Sequence, residues 1–164
     1  MDIQEILEGN FDAIPTGPRR LIDCSAQPHI PNGLEIRLKD QITSRVLGDL
    51  RFDPDKIDLY LDAGQKGDQT ILGNDLRQIL EGKPVLNACV LDHLLVNTQL
   101  IPEEWKQDSQ GRTRYIYFWG TIYRASNGRL FVRCLYWNDG QWNWDYRWLG
   151  YRWRVQNPSA ILAS

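Results

Sequence analysis

Apolar residues recur along this chain at two spacings, and the change from one to the other falls near residue 115. Before it, the helical spacing dominates short segments. Asp2 and Glu5 have the form of a capping box ahead of Ile3, Ile6 and Leu7, with Gly9 as a stop. Pro15, Gly17, Pro18, Pro28, Pro31 and Gly33 punctuate a loop-rich stretch, with short strands predicted at 20–24, 34–39, 45–52 and 57–61. Residues 64–73 read as loop. A helix is predicted from Asn74 as cap to Leu80, and a second over 87–97 with Val90, Leu91, Leu94 and Leu95 as its stripe. The tight Gly82-Lys83-Pro84 link between them predicts a helical hairpin covering one face of a sheet.

From Tyr115 the period becomes two. Asn127-Gly128 and Asp139-Gly140 are type I′ hairpin signals, because both central residues of that turn need positive φ. Centring the turns there predicts a three-stranded meander over about 115–124, 129–137 and 141–148. Arg124 is expected opposite Phe131, and Ile122 opposite Arg133. Across the second turn the expected pairs are Trp137 with Trp142, Leu135 with Trp144, Arg133 with Tyr146, and Phe131 with Trp148. One face then holds Phe118, Ile122, Phe131, Arg133, Leu135, Trp137, Trp142, Trp144, Tyr146 and Trp148. The other holds Tyr117, Trp119, Tyr123, Val132, Cys134, Tyr136, Asn143, Asp145 and Arg147. Tyr151, Trp153 and Val155 suggest a fourth strand, Asn157-Pro158 ends the sheet, and 157–164 is left as a short apolar tail.

Composition adds an asymmetry. Fourteen of the chain's 18 aromatic residues fall between Tyr115 and Trp153. Residues 111–154 also carry eight arginines, no lysine and two acids, so this part is basic although the chain of 164 residues has a net charge of −2. The division is therefore an acidic mixed part (1–110), a basic aromatic meander (111–156) and the tail, all within one domain. Three widely spaced cysteines, Cys24, Cys89 and Cys134, lack zinc-ligand spacing; buried thiols in a reducing cytoplasm are expected. No apolar run is long enough to span a membrane.

Catalytic chemistry finds little material. His29 lies beside prolines, and His93 sits in an apolar helix where its neighbour Asp92 cannot face it. Asp53, Asp55, Asp58 and Asp62 read as caps and the wet side of a strand, and no phosphate-cradling loop, serine elbow or metal motif occurs. No cofactor or metal is expected. Both meander faces are aromatic, whereas a sheet covered on one side leaves the other in water, so some rings should stay exposed as a binding platform. The expected ligand-binding set is Arg133, Trp142, Asn143, Trp144, Asp145, Tyr146, Arg147, Trp148, Tyr151, Arg152 and Trp153. Rings beside arginines suit single-stranded nucleic acid; tryptophans beside Asn and Asp suit sugars; salt bridges to the acidic part are the competing use of the arginines.

The segments Gly82-Lys83-Pro84-Val85-Leu86-Asn87-Ala88, Leu100-Ile101-Pro102-Glu103-Glu104-Trp105-Lys106 and Phe118-Trp119-Gly120-Thr121-Ile122-Tyr123-Arg124, with Leu135-Tyr136-Trp137, Trp142 and Trp144, resemble a family of small bacterial proteins of no established function. The likeness covers about residues 50–164 and implies no activity. The stretch 143–157 is also similar to the hypervariable end of target proteins of diversity-generating retroelements, which resemble C-type lectins. That resemblance implies Asn143, Asp145, Tyr146, Arg147, Tyr151 and Arg152 as variable, ligand-facing positions. The resulting expectation is an α+β fold and a non-enzymatic module that binds a macromolecule through its aromatic and arginine-bearing sheet. A protein partner is favoured over single-stranded nucleic acid because the chain is acidic overall, and variable ligand display is a further alternative.

Overall fold

The computed structural model describes residues 19–164, so the helix expected from Asp2 lies outside the described residues. In chain order come strands β1 (Leu21–Asp23), β2 (Leu34–Ile36), β3 (Asp49–Arg51), β4 (Ile57–Tyr60) and β5 (Ile71–Leu72), then helices α1 (Gly73–Leu80) and α2 (Ala88–Val96). Strands β6 (Ile116–Tyr117), β7 (Tyr123–Ala125), β8 (Leu130–Asn138), β9 (Gln141–Trp148), β10 (Arg152–Trp153) and β11 (Ser159–Leu162) follow. The α+β class is as expected. A seven-stranded sheet runs β2-β7-β8-β6-β11-β4, with β9 paired to the other side of β8; β1-β3 and β5-β10 are separate two-stranded pairs.

The two helices do not cover the same face. On β8, Val132 and Cys134 point into one core with Leu76 and Leu80 of α1, Trp119, Leu149 and Trp153. Leu135, one residue on, points into the other, with Val90, Leu91 and Leu94 of α2, Phe52, Trp105 and Phe118. Alternation along the strands thus feeds two apolar layers, and much of the aromatic meander is core on both sides. The expected hairpin is broken by its own link: Val85 bridges to Ile161 and Leu86 N–H donates to Ala160 O at 3.0 Å, which carries the chain past the sheet between the helices.

Each helix start has its own solution for orphan N–H groups. Asn87 caps α2, accepting from Cys89 N–H at 3.0 Å, and Thr121 Oγ1 accepts from Ala88 N–H at 3.0 Å. The α1 helix begins one residue before the expected Asn74 cap, without a side-chain cap. Instead Gly73 N–H donates to Tyr151 O at 2.9 Å and Asn74 N–H to Leu149 O at 3.1 Å, which ties the helix to the chain leaving β9.

The second hairpin forms as expected. Asp139 has φ 55° and Gly140 φ 76°, and all four expected pairs, from Trp137–Trp142 to Phe131–Trp148, are in register. The first differs. Ala125 N–H donates to Arg129 O at 2.9 Å around a three-residue loop in which Gly128 alone has positive φ, at 85°. A three-residue loop shifts the register by one, so Tyr123 rather than Arg124 lies opposite Phe131. Upstream, the single strand expected over 115–124 is split into β6 and β7. Gly120 crosses Asn87 so closely that a Cβ would lie 2.8 Å from its backbone nitrogen, and Gly120 N–H donates to Leu86 O at 2.9 Å. The interruption turns Ile122 to the α1 side and Tyr123 to the α2 side, the reverse of the expected faces.

The expected tail is also corrected. Residues 159–162 form β11, which lies inside the sheet, antiparallel to β4 and parallel to β6 at Ser159–Tyr117. Tyr151 to Val155 does not extend the meander; β10 pairs with β5 instead.

Candidate aromatic binding edge on strand β9

Among the described residues, strand β9 pairs along one side only, with β8. Leu149 N–H donates to Leu130 O at 2.9 Å, so by alternation the N–H groups of Trp142, Trp144, Tyr146 and Trp148 point away from β8. Tyr146 N–H is met by Asp145 Oδ1 at 2.7 Å, which blunts this edge with a local carboxylate. Tyr136 sits with its hydroxyl pushed above the usual range by burial and by Asp145.

The eleven expected binding residues divide sharply by accessibility. Trp144 (37% exposed), Tyr146 (41%) and Tyr151 (54%) present open rings. Asp145 and Arg152 are exposed, the latter donating Nε to Thr70 Oγ1 at 2.9 Å. Trp142 and Trp148 are half-buried: Trp142 meets Trp137 edge-on at 5.3 Å, and Trp148 lies between Tyr151 at 5.3 Å and the Arg129 guanidinium at 4.2 Å. Asn143 donates to Gln141 O at 3.0 Å and Asn138 O at 3.2 Å, bracing the turn. Arg147, also half-buried, donates to Arg152 O at 3.0 Å and lies 5.0 Å from the Tyr151 ring.

Trp153 and Arg133 are corrections, because neither reaches solvent. Trp153 packs between Tyr117 at 5.2 Å and Trp119 at 5.3 Å. Arg133 is 1% exposed and its Nη1 donates to Asp92 Oδ1 at 2.9 Å. Its guanidinium also lies over the Trp144 ring, at 4.3 Å from the centroid. A buried cation against the inner side of an exposed indole fixes the ring by cation–π attraction and leaves its outer side free.

Around Trp144 and Tyr146 the chain forms a cleft of ≈ 460 Å³ with His29, Pro31, Asn32 and Asp145. His29 meets Trp144 edge-on at 5.4 Å, and its backbone N–H donates to Asp92 Oδ2 at 2.7 Å. Asp92 therefore holds both the cation behind Trp144 and the loop beside it. Sequence spacing carries no sign of this, since His29 and Asp92 are 63 residues apart.

The charge split is partly an internal matter. Arg124 grips Asp40 with Nε at 2.8 Å and Nη2 at 2.7 Å, and this guanidinium holds the Asp40 carboxyl below the usual carboxylate range. Arg133 reaches Asp92, and Arg112 pairs with Asp108 at 2.8 Å. The other candidate groups have local duties. Asp53 accepts from Asp55 N–H at 3.0 Å, Asp62 from Gly64 N–H at 2.9 Å, and the His93 ring bonds Arg19 O at 2.6 Å. All three cysteines are buried and free; burial pushes the Cys24 thiol up to about 11 and those of Cys89 and Cys134 to about 12. Among the described residues no cluster of three His, Cys, Asp or Glu could hold a metal, and no helix is long and apolar enough to cross a membrane. No protein-family model, curated protein or solved structure matches the chain.

Proposed function

We propose that this protein is a non-enzymatic binding module, resident in a reducing cytoplasm, that engages a protein partner through the Trp144–Tyr146 edge of β9. The observation that carries this reading is the separation of roles within one aromatic sheet. Of the fourteen rings between Tyr115 and Trp153, eleven are buried or half-buried, whereas Trp144, Tyr146 and Tyr151 are open and Trp144 is backed by a paired, buried arginine. Aromatic rings held rigidly at a partly polar rim lose little entropy on binding, the usual property of an interface hot spot. A protein is favoured over single-stranded nucleic acid because Arg124 and Arg133 are engaged by carboxylates and Arg129 by a ring, which leaves fewer cations for phosphates. Three shielded, high-pKa thiols support the reducing compartment.

One observation favours variable ligand display as a second reading. Asn143, Asp145, Tyr146, Arg147, Tyr151 and Arg152 all reach the surface at least in part, while Trp153 beside them is wholly buried. The two readings use the same edge and differ in whether the gene carries alternative codons there. Comparing this stretch among closely related strains separates them: substitutions concentrated at those six positions support display, and a uniform pattern sinks it.

A further inference from the structure

Three of the arginines in residues 111–154 hold carboxylates: Arg112, Arg124 and Arg133. Arg147 and Arg154 form no ion pair among the described residues. Both line a single cavity of ≈ 450 Å³. By strand alternation Arg147 and Asp145 project to the α1 side of the sheet, opposite the indole of Trp144. We propose that this cavity binds a small molecule bearing an oxyanion, phosphate or carboxylate, held between the Arg147 and Arg154 guanidinium groups.

Several features make it a prepared site rather than a surface dent. The Arg147 guanidinium is set in place by Tyr151 at 5.0 Å, Trp153 at 5.3 Å and its bond to Arg152 O at 3.0 Å. Its Nε is shielded from water and has no acceptor among the described residues. No carboxylate pairs with the Arg147 guanidinium among the described residues, and an anion oxygen in the cavity supplies that charged acceptor. The opposite wall is equally fixed. Gln156 Nε2 donates to Thr113 O at 3.0 Å, and Asn157 Oδ1 accepts from Arg154 N–H at 3.0 Å. Tyr115, stacked on Tyr136 at 5.0 Å, adds an apolar side. A preformed pocket with two cations and an aromatic wall has the character of a small-ligand site. Asp145 on the same lining leaves a net charge of one positive unit, which suits a compact anion better than a polyanionic strand.

The test is a thermal melt of the full chain in inorganic phosphate, in citrate, and in sodium chloride at matched ionic strength. Phosphate or citrate should raise Tm by about 5 °C at a concentration about a hundredfold above Kd, and chloride should not. Which of the two acts identifies the class of oxyanion. Arg154→Ala alters an exposed side chain, so its Tm without ligand should match the wild type, while its affinity should fall about tenfold or more. Arg51→Ala, an exposed arginine outside the cavity, should bind as wild type does. An equal rise in chloride, no rise in either oxyanion, or an Arg154→Ala titration like that of the wild type would overturn the proposal.

Discussion

Arg133 and Asp92 are joined across the layer between β8 and α2, with Nη1 donating to Oδ1 at 2.9 Å. Their sequence separation is 41 residues, and the arginine is almost completely buried where the aspartate keeps a solvent-facing side. The pair supports the binding edge from behind, since the same guanidinium lies 4.3 Å from the Trp144 ring. Removing the acid alone leaves a buried cation unmatched. Asp92→Ala should therefore cost about 3–5 kcal/mol of stability in urea denaturation. A loss below about 1 kcal/mol would mean that water takes over the guanidinium.

The rings should separate into two classes on truncation. Trp153→Ala removes a fully buried indole and should cost about 3–5 kcal/mol. Tyr146→Ala removes a ring at the open edge and should change stability by less than about 1 kcal/mol. Melting curves of the two variants side by side make the comparison; similar losses would place Tyr146 in the core.

Gly120 is where the backbone passes closest to the start of α2. An added Cβ would lie 2.8 Å from the nitrogen, Cα and Cβ of Asn87, groups that cap the helix and cannot withdraw. Gly120→Ala should lower stability by about 3 kcal/mol, read from the urea midpoint. An unchanged midpoint would show that the β6–β7 crossing is looser than this geometry.

These elements also mark how far the sequence is legible. Asp139-Gly140 specifies its hairpin locally, and every pair of the β8–β9 ladder follows from it. Asn127-Gly128 carries the same signal, yet only Gly128 adopts positive φ, and Ala125 N–H closes a three-residue loop on Arg129 O. The break at Gly120 depends on contact with Asn87, and the central position of β11 on pairing with β4, about a hundred residues earlier. Long-range contacts of this kind leave no periodic trace. For the site, strand alternation identifies the faces that carry Trp144 and Tyr146. It does not reveal that Trp153 would be enclosed by Tyr117 and Trp119, nor that Asp92 would stand behind Arg133.

The Asp40–Arg124 pair has a consequence in acid. The folded carboxyl titrates below its unfolded value of about 3.9. Its stabilising contribution is therefore complete above that pH and is lost as the pH falls through the lower, folded value. Wild-type stability should drop more steeply than that of Asp40→Asn between about pH 4 and pH 2, measured by urea midpoints. Asp108 shifts in the same direction in both proteins, so the difference isolates Asp40. Parallel curves would remove the pair from the acid transition.

The most direct test of the binding edge is photo-crosslinking with a benzophenone amino acid at position 146, and at exposed position 39 as a control, in extract of the source cells. The account predicts a discrete, protease-sensitive adduct from position 146, none from position 39, and loss of the adduct in Trp144→Ala. An adduct that is nuclease-sensitive, or one that persists without the Trp144 ring, would contradict it.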